Sequence, residues 1–376
     1  MSHKEYDYVV VGAGLAGSTI SRVLKDHGKR VLVLEKNQHV AGNCYSEKVD
    51  GIEVHKYGAH IFRTSDKYMW EFVNRFSWFV PYQHNVMFRH KDHVYNMPFN
   101  LNMFCKIWPN LSRPEEIDLQ IKEEIEEAGI TDPKNLEEKA ISLVGKTVYD
   151  IFIRDYTAKQ WKKDPKDLPA SLIRRLPLRF TFNNNYFNDI WQGIPDKGYT
   201  SFIENMLEGI DLKLNFDFNQ HKEDFKESIV IYTGSVDEYY DDCFGELPYK
   251  SCRFEEVVVH TDNFQGCSVM NIGDVRVPWT RSIEHKHFDR FCENKTTTIV
   301  SYEYPDIYKK GGDLMRMYAL EDKNSQDLYS KYKELADKEE KVIFAGRLGQ
   351  YKYFGMEEVI KDSFEKAWKI LGVEKC

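Results

Sequence analysis

Apolar residues in this chain switch between two periods, and the switches mark out its elements. Residues 7–11 (DYVVV) form a short β-branched run of the kind that fills a buried strand. After a glycine-rich stretch, apolar positions recur at helical spacing from about residue 15 to 27, and Gly28 marks the stop. A second strand is predicted over 30–35 (RVLVLE). From about residue 114 to 163 Glu, Lys, Leu and Ile recur at helical spacing, which predicts an inserted helical lobe. Residues 175–195 and 251–304 alternate apolar and polar positions with aromatics between, predicting antiparallel strands. Residues 228–234 (SIVIYTG) and 341–346 (KVIFAG) return to the buried-strand pattern, and a closing helix is predicted from about Met356. The expected fold is α/β: a Rossmann-like parallel sheet domain with an inserted helical lobe and an antiparallel sheet domain. The parallel-sheet domain is expected to be discontinuous, over 1–80, 196–240 and 336–376. The helical lobe takes 100–170, and the antiparallel sheet domain takes 81–99, 171–195 and 241–335.

Bulk properties narrow the partners. A net charge of −8 with no long basic run argues against a nucleic acid or an anionic membrane, which need a concentrated positive face. A small anionic ligand held by local arginines is still compatible. The seven cysteines are irregularly spaced without a C-x-x-C, which reads as reduced thiols and not as a disulfide framework or zinc site. Residues 1–7 lack a signal-peptide layout, and the apolar run at 8–11 is far too short to span a membrane. A cytoplasmic protein is expected. Aromatic residues make up 14% of the chain, enough to fill a core and leave rings for a planar ligand.

The run Gly12-Ala13-Gly14-Leu15-Ala16-Gly17 fits G-x-G-x-x-G between a strand and a helix. Gly12 permits the tight turn, Gly14 lets backbone approach a pyrophosphate, and Gly17 lets helix and strand pack closely. The helix N-terminus then offers unpaired N–H groups to phosphate. Glu35 ends the second strand, where a carboxylate accepts from ribose hydroxyls, with Lys36 beside it. The pattern continues into Ala41-Gly42-Asn43, which resembles the Gly-Gly element of FAD-binding proteins of the glutathione-reductase and amine-oxidase type. It points to an FAD-binding domain.

Further blocks occur in colinear order: HKYGAHIF (55–62), NMPFN (96–100), DYTAKQW (155–161), RRLPLRF (174–180), NNYF (184–187), QGIP (192–195), VPWTR (277–281), EHKHF (284–288) and AGRLGQYKY (345–353). Together these resemble the bacterial UDP-galactopyranose mutases, from about residue 7 to the closing helix. The resemblance implies an isomerase that interconverts UDP-galactopyranose and UDP-galactofuranose through a glycosyl adduct on N5 of reduced FAD. It implies a homodimer, a role in cell-surface polysaccharide biosynthesis, no metal, and a mobile lid over 155–169. By the resemblance, Arg175 and Arg281 grip the diphosphate, and their planar donor forks suit phosphate oxygens. Tyr186, Tyr318 and Tyr353 donate hydroxyls to the same group. Tyr156, Trp161 and Phe187 surround the uridine, Asn271 lies near its ribose or phosphate, and His84 belongs to the substrate set. His60 lies against the flavin, and Ile61, Phe218, Arg347, Gly355 and Met356 complete the cofactor wall.

Four positions depart from the family pattern. Arg63 replaces a usual His, His84 a usual Asn, and Met317-Tyr318-Ala319 the usual Tyr-Tyr-Pro, while Gly355 replaces an Asp. Arg63 is expected to face the sugar, where its donors either reach a 2-acetamido carbonyl, admitting UDP-N-acetylgalactosamine, or merely replace one cation-capable group by another. Other readings are an amine-oxidase-like flavin oxidoreductase, which shares the N-terminal fingerprint but has no use for the paired arginines, and a non-catalytic dinucleotide sensor. Glu284, His285 and His287 are read as a polar strand, not a metal site.

Overall fold

A computed structural model describes residues 5–173, 176–320 and 322–373. Strand β1 (Tyr8–Val11), helix α1 (Leu15–Asp26) and strand β2 (Val31–Leu34) open the chain. All four residues of β2 are buried, so its continuous apolar run is the signature of a parallel strand covered on both faces. The β1 strand pairs in parallel with β2 on one side and Val230–Tyr232 on the other. Strands Asp211–Lys213 and Val342–Phe344 extend the sheet outward in parallel, giving five strands drawn from distant stretches of chain. The closing helix, Met356–Leu371, lies against α1, and Ile20, Leu24, Ile360 and Phe364 belong to their shared core.

A seven-stranded sheet carries the opposite wall, in the order Tyr318–Ala319, Tyr249–Val259, Thr298–Ile307, Arg281–Glu284, Val269–Ile272, Val86–His90, His93–Met97. One joint departs from the expected antiparallel pattern: Val86–His90 runs parallel to Val269–Ile272. A small sheet of Phe62–Thr64, Trp191–Pro195 and Phe79–Pro81 bridges the two.

The helical stretch contains Pro114–Ala128, Leu136–Val148, a π turn at Tyr149–Ile153 and Arg154–Trp161. Ile117, Ile121, Ala140, Val144 and Phe152 fill its own core. Wide turns of this kind recur at functional sites, and this one directly precedes the helix carrying Tyr156 and Trp161.

The strand expected over 175–195 is corrected: only Trp191–Pro195 pairs. Isolated backbone bonds and side chains together, not a paired strand, satisfy the backbone of 176–190: Arg179 N–H donates to Phe99 O (2.8 Å), Leu101 N–H to Thr181 O (3.0 Å) and Tyr186 N–H to His84 O (2.8 Å). Asn100 Nδ2 donates to Asn183 O (2.9 Å), Asn102 Nδ2 to Phe182 O (3.0 Å) and Arg179 Nη1 to Asn185 O (2.6 Å). Alternation there reflects one face packed on the helical lobe, without a ladder.

Candidate active site

The ends of β1, β2 and Val230–Tyr232 open into a cavity of about 710 Å³. Gly12 has φ +100°, and a Cβ there would stand 2.2 Å from Thr233 Oγ1; at Gly17 it would stand 1.9 Å from the Gly12 carbonyl oxygen. Glycine is therefore required at Gly12 by space and by backbone, and at Gly17 by space. Helix α1 has no side-chain cap and no acidic residue in its first turn, so its end N–H groups and positive dipole end suit an anion. The Glu35 carboxylate is oriented by the N–H groups of Ala13 and Asn37, both at 2.8 Å.

Gly12, Gly14, Leu15, Ala16, Glu35, Lys36, Gly42, Asn43, His60, Phe218, Arg347 and Met356 all line this cavity. Three expected cofactor residues do not. Gly17 packs α1 on β1, and Ile61 lies in the core behind the wall. Gly355 is the N-cap of the closing helix, where its N–H donates to Glu358 Oε2 at 2.6 Å. The acids Glu357 and Glu358 occupy that first turn, which supplies negative charge at the position where an Asp cap is usual. His60 Nδ1 lies 2.8 Å from the Gly58 carbonyl, an acceptor only, so Nδ1 donates and Nε2 of the neutral ring is left as an acceptor. Burial holds the His60 pKa down at about 4, so the ring is neutral.

A second cluster adjoins the first. Arg281 stands directly opposite Asn271 and Glu303 in the sheet register. Its Nε donates to Asn271 Oδ1 (3.1 Å) and its Nη1 pairs with Glu303 Oε2 (3.2 Å). Glu303 pushes the Arg281 pKa further up, and the phenols of Tyr156, Tyr318 and Tyr186 lie within its field. Burial raises the pKa of Tyr156 and of Tyr318, which keeps both as neutral hydroxyl donors. Tyr318 and Tyr353 lie 5.6 Å apart between ring centres. The Arg347 guanidinium sits over both, 5.7 and 5.0 Å from their centres, and Nε donates to Phe354 O at 2.6 Å. Arg347 is thus the shared wall between dinucleotide cavity and tyrosine cluster.

His84 is buried, with Phe187 stacked on it at 5.4 Å and Tyr186 edge-on at 5.7 Å. Burial, followed by the Arg281 charge, lowers its pKa to about 3. Arg63 lies 4.5 Å over the Phe187 ring and is clamped by Asp189 Oδ2 at 2.6 Å. Trp161 ends its helix with the Lys250 ammonium over its ring face, and burial lowers the Lys250 pKa to about 8. Arg175 lies outside the described residues. His285 turns inward to Ser301, away from the Glu284–His287 pair.

Sequence reading missed Glu303, Lys250 and Asp189. Glu303 and Lys250 enter through cross-strand register, Arg281↔Glu303 and Lys250↔Tyr318, which no local pattern announces. Asp189 meets Arg63 across 126 residues of chain.

A dinucleotide cavity that shares its Arg347 wall with a cation–phenol cluster fits an α/β enzyme of the dinucleotide-cofactor class. Residues 151–353 match the family described as UDP-galactopyranose mutase, and residues 10–76 match the NAD(P)-binding Rossmann-like domain. The chain is 34% identical to a probable UDP-galactopyranose mutase of Klebsiella pneumoniae, covering 96% of this chain and 94% of the other. It is 33% identical to the dTDP-fucopyranose mutase of Escherichia coli, with 96% and 97% covered. A crystal structure of reduced UDP-galactopyranose mutase superposes with a TM-score of 0.73 at 15% identity, covering 99% and 96%. The chain belongs to the UDP-galactopyranose mutase family of flavin-dependent isomerases, whose cofactor is FAD.

Proposed function

We propose that this protein, with FAD in its reduced form, interconverts the pyranose and furanose forms of a UDP-galactose-type sugar. The observation that carries the reading is Arg281: a cation fixed by Asn271 and Glu303, ringed by phenols, and separated from the dinucleotide cavity only by the Arg347 wall. An amine substrate has no use for that arrangement. When bound and reduced, the flavin supplies a nucleophilic N5 to the sugar's anomeric carbon. The chain's own residues bind, orient and shield. Arg281 holds the diphosphate, and Tyr186, Tyr318 and Tyr353 donate to its oxygens, with Arg175 as a further cation. Tyr156 and Trp161 flank the uracil, and His60 keeps a neutral Nε2 toward the flavin. In this reading the FAD domain comprises 1–80, 196–240 and 336–376. Residues 155–169 close over the sugar and exclude water, with Lys159 Nζ donating to Val277 O (3.1 Å) and Trp279 O (2.7 Å). A cytoplasmic homodimer that feeds cell-surface polysaccharide completes the proposal.

Arg63 bears on the substrate. With one nitrogen clamped by Asp189, its remaining donors point to a 2-acetamido carbonyl and admit UDP-N-acetylgalactosamine. The Escherichia coli relative's name favours a second substrate, a dTDP-6-deoxysugar. The test incubates dithionite-reduced protein with UDP-galactofuranose, its 2-acetamido counterpart and dTDP-fucofuranose, and resolves pyranose products by chromatography. Turnover of at least one, with an inactive oxidised control, is expected. Flavin-loaded, reduced protein that converts none refutes the isomerase reading, and an unchanged sugar preference in Arg63→His removes the role of Arg63.

A further inference from the structure

The dinucleotide cavity has a second buried arginine on its wall, Arg316, which no motif singles out and which is only 6% exposed. Its head group is over-determined. Nη1 pairs with Glu238 Oε1 at 2.6 Å and Nη2 with Asp237 Oδ2 at 3.3 Å, while the guanidinium plane lies 4.6 Å from the Tyr308 ring centre and 5.4 Å from that of Tyr249. The flanking backbone is pinned as well: Ser251 Oγ donates to Met315 O at 2.6 Å, and Met317 N–H donates to Lys250 O at 3.2 Å. Asp237 is itself fully buried and accepts the Leu247 N–H at 2.8 Å, so the anchor is rigid.

One donor of this clamped group has no partner. Arg316 Nε is buried without a hydrogen bond among the described residues, although a buried unpaired donor on a charged group costs more than a neutral one. Ser235, Glu238 and Met315 stand beside it on the same wall. The two carboxylates more than offset the guanidinium's charge, so its remaining contribution is direction, not net positive charge.

We infer that Arg316 is a cofactor-binding residue whose Nε–H donates to an oxygen on the sugar–phosphate spine of FAD. This rests on the FAD reading of the cavity. Arg316 and Arg347 then hold the dinucleotide from two sides, and the segment ending in Tyr318 is positioned by the same anchor that grips the cofactor. Tyr318 lies only two residues beyond Arg316, which ties cofactor retention to the placement of a substrate phenol.

The test compares wild type, Arg316→Lys and Arg316→Met by titrating apoprotein with FAD, read by flavin fluorescence, and by thermal denaturation without flavin. Arg316→Lys keeps a cation for Asp237 and Glu238 but loses the Nε donor. Its apoprotein is expected to melt close to wild type, while its Kd for FAD weakens roughly 10- to 100-fold, the size of one charge-assisted hydrogen bond. Arg316→Met weakens FAD binding at least as much and also lowers the apoprotein Tm. Wild-type affinity within about threefold in Arg316→Lys overturns the inference, whatever the Tm values, because it leaves Arg316 a structural role only. Wild-type protein that takes up no FAD instead sinks the reading of the cavity.

Discussion

Acidification should destabilise this protein well before its carboxylates titrate, because three buried histidines are built to stay neutral. His55 accepts the His60 N–H on Nδ1 at 3.2 Å, and His285 accepts the His55 N–H on Nδ1 at 3.2 Å. Protonating either ring removes the acceptor and strands a buried backbone donor. His84 is buried beside Arg281, and its Nδ1 has no partner among the described residues. Burial lowers the pKa of His55 well below normal and takes His84 and His285 to about 3. The folded pKa therefore lies below the unfolded value of about 6.5, so the stability these rings contribute is present above that value and lost as pH falls. Between pH 7.5 and 5.5 an unfolded imidazole goes from about one-tenth to about nine-tenths protonated while the folded ring stays neutral. Each site then costs about 1.4 kcal/mol, and the three together with His60, which burial holds at about 4, cost about 5 kcal/mol, a large share of a typical folding free energy of roughly 5–15 kcal/mol. Glu53 works in the opposite sense, since burial raises its pKa and it gains a proton earlier in the folded state.

Urea denaturation followed by tryptophan fluorescence, at saturating FAD and at both pH values, measures this directly. His285→Gln keeps an acceptor for the His55 N–H and cannot titrate, so it should remove about one quarter of the pH-dependent loss, about 1.4 kcal/mol. A folding free energy that changes by less than about 1 kcal/mol between pH 7.5 and 5.5, with the same slope in His285→Gln, would refute the reasoning.

Two further outcomes follow from the site. Arg281→Lys keeps the charge but loses the planar fork shared with Asn271 and Glu303, so kcat/KM in the reduced enzyme should fall by about 100- to 1000-fold with flavin content unchanged, and a fall below tenfold contradicts its role. Ala41 adopts φ 75° where a left-handed residue costs an L-side chain about 1–2 kcal/mol, against roughly 0.5–1 kcal/mol of glycine entropy, so Ala41→Gly should raise Tm by about 1–2 °C in differential scanning calorimetry.

The parallel sheet was legible because strands buried on both faces cannot avoid continuous apolar runs, and because the glycines between β1 and α1 are fixed by contacts of 2.2 and 1.9 Å that no side chain survives. Helical segments were legible for a similar reason, as their apolar spacing had to build a separate core. Residues 176–190 were not. Their alternation is real, but whether it produces a ladder depends on a neighbouring strand, and here scattered backbone bonds to Phe99, Leu101 and His84 and the side chains of Asn100, Asn102 and Arg179 take that place. The partners of the site residues were equally hidden. Glu303 becomes Arg281's partner only through strand register, and the clamp on Arg316 comes from a short helix some eighty residues earlier (|i−j| 79). Cross-strand and cross-domain chemistry is a property of topology, and local periodicity carries little of it.

A chain of net charge −8 that is to hold both a dinucleotide and a nucleotide-sugar diphosphate has to oppose its own field. It does so by placing cations in partly or fully buried positions and by treating each differently. Arg281 is locked in the charged state by Glu303, and Arg316 is offset by two carboxylates and keeps only its directional donor. Lys250, over the Trp161 ring with a pKa near 8, is the adjustable member: mostly charged at neutral pH, it loses its charge above about pH 8 beside the ring assigned to the uracil. Substrate affinity should therefore weaken above about pH 8 through Lys250 while the arginines hold. Retention of that pH dependence in Lys250→Met would assign it to another group.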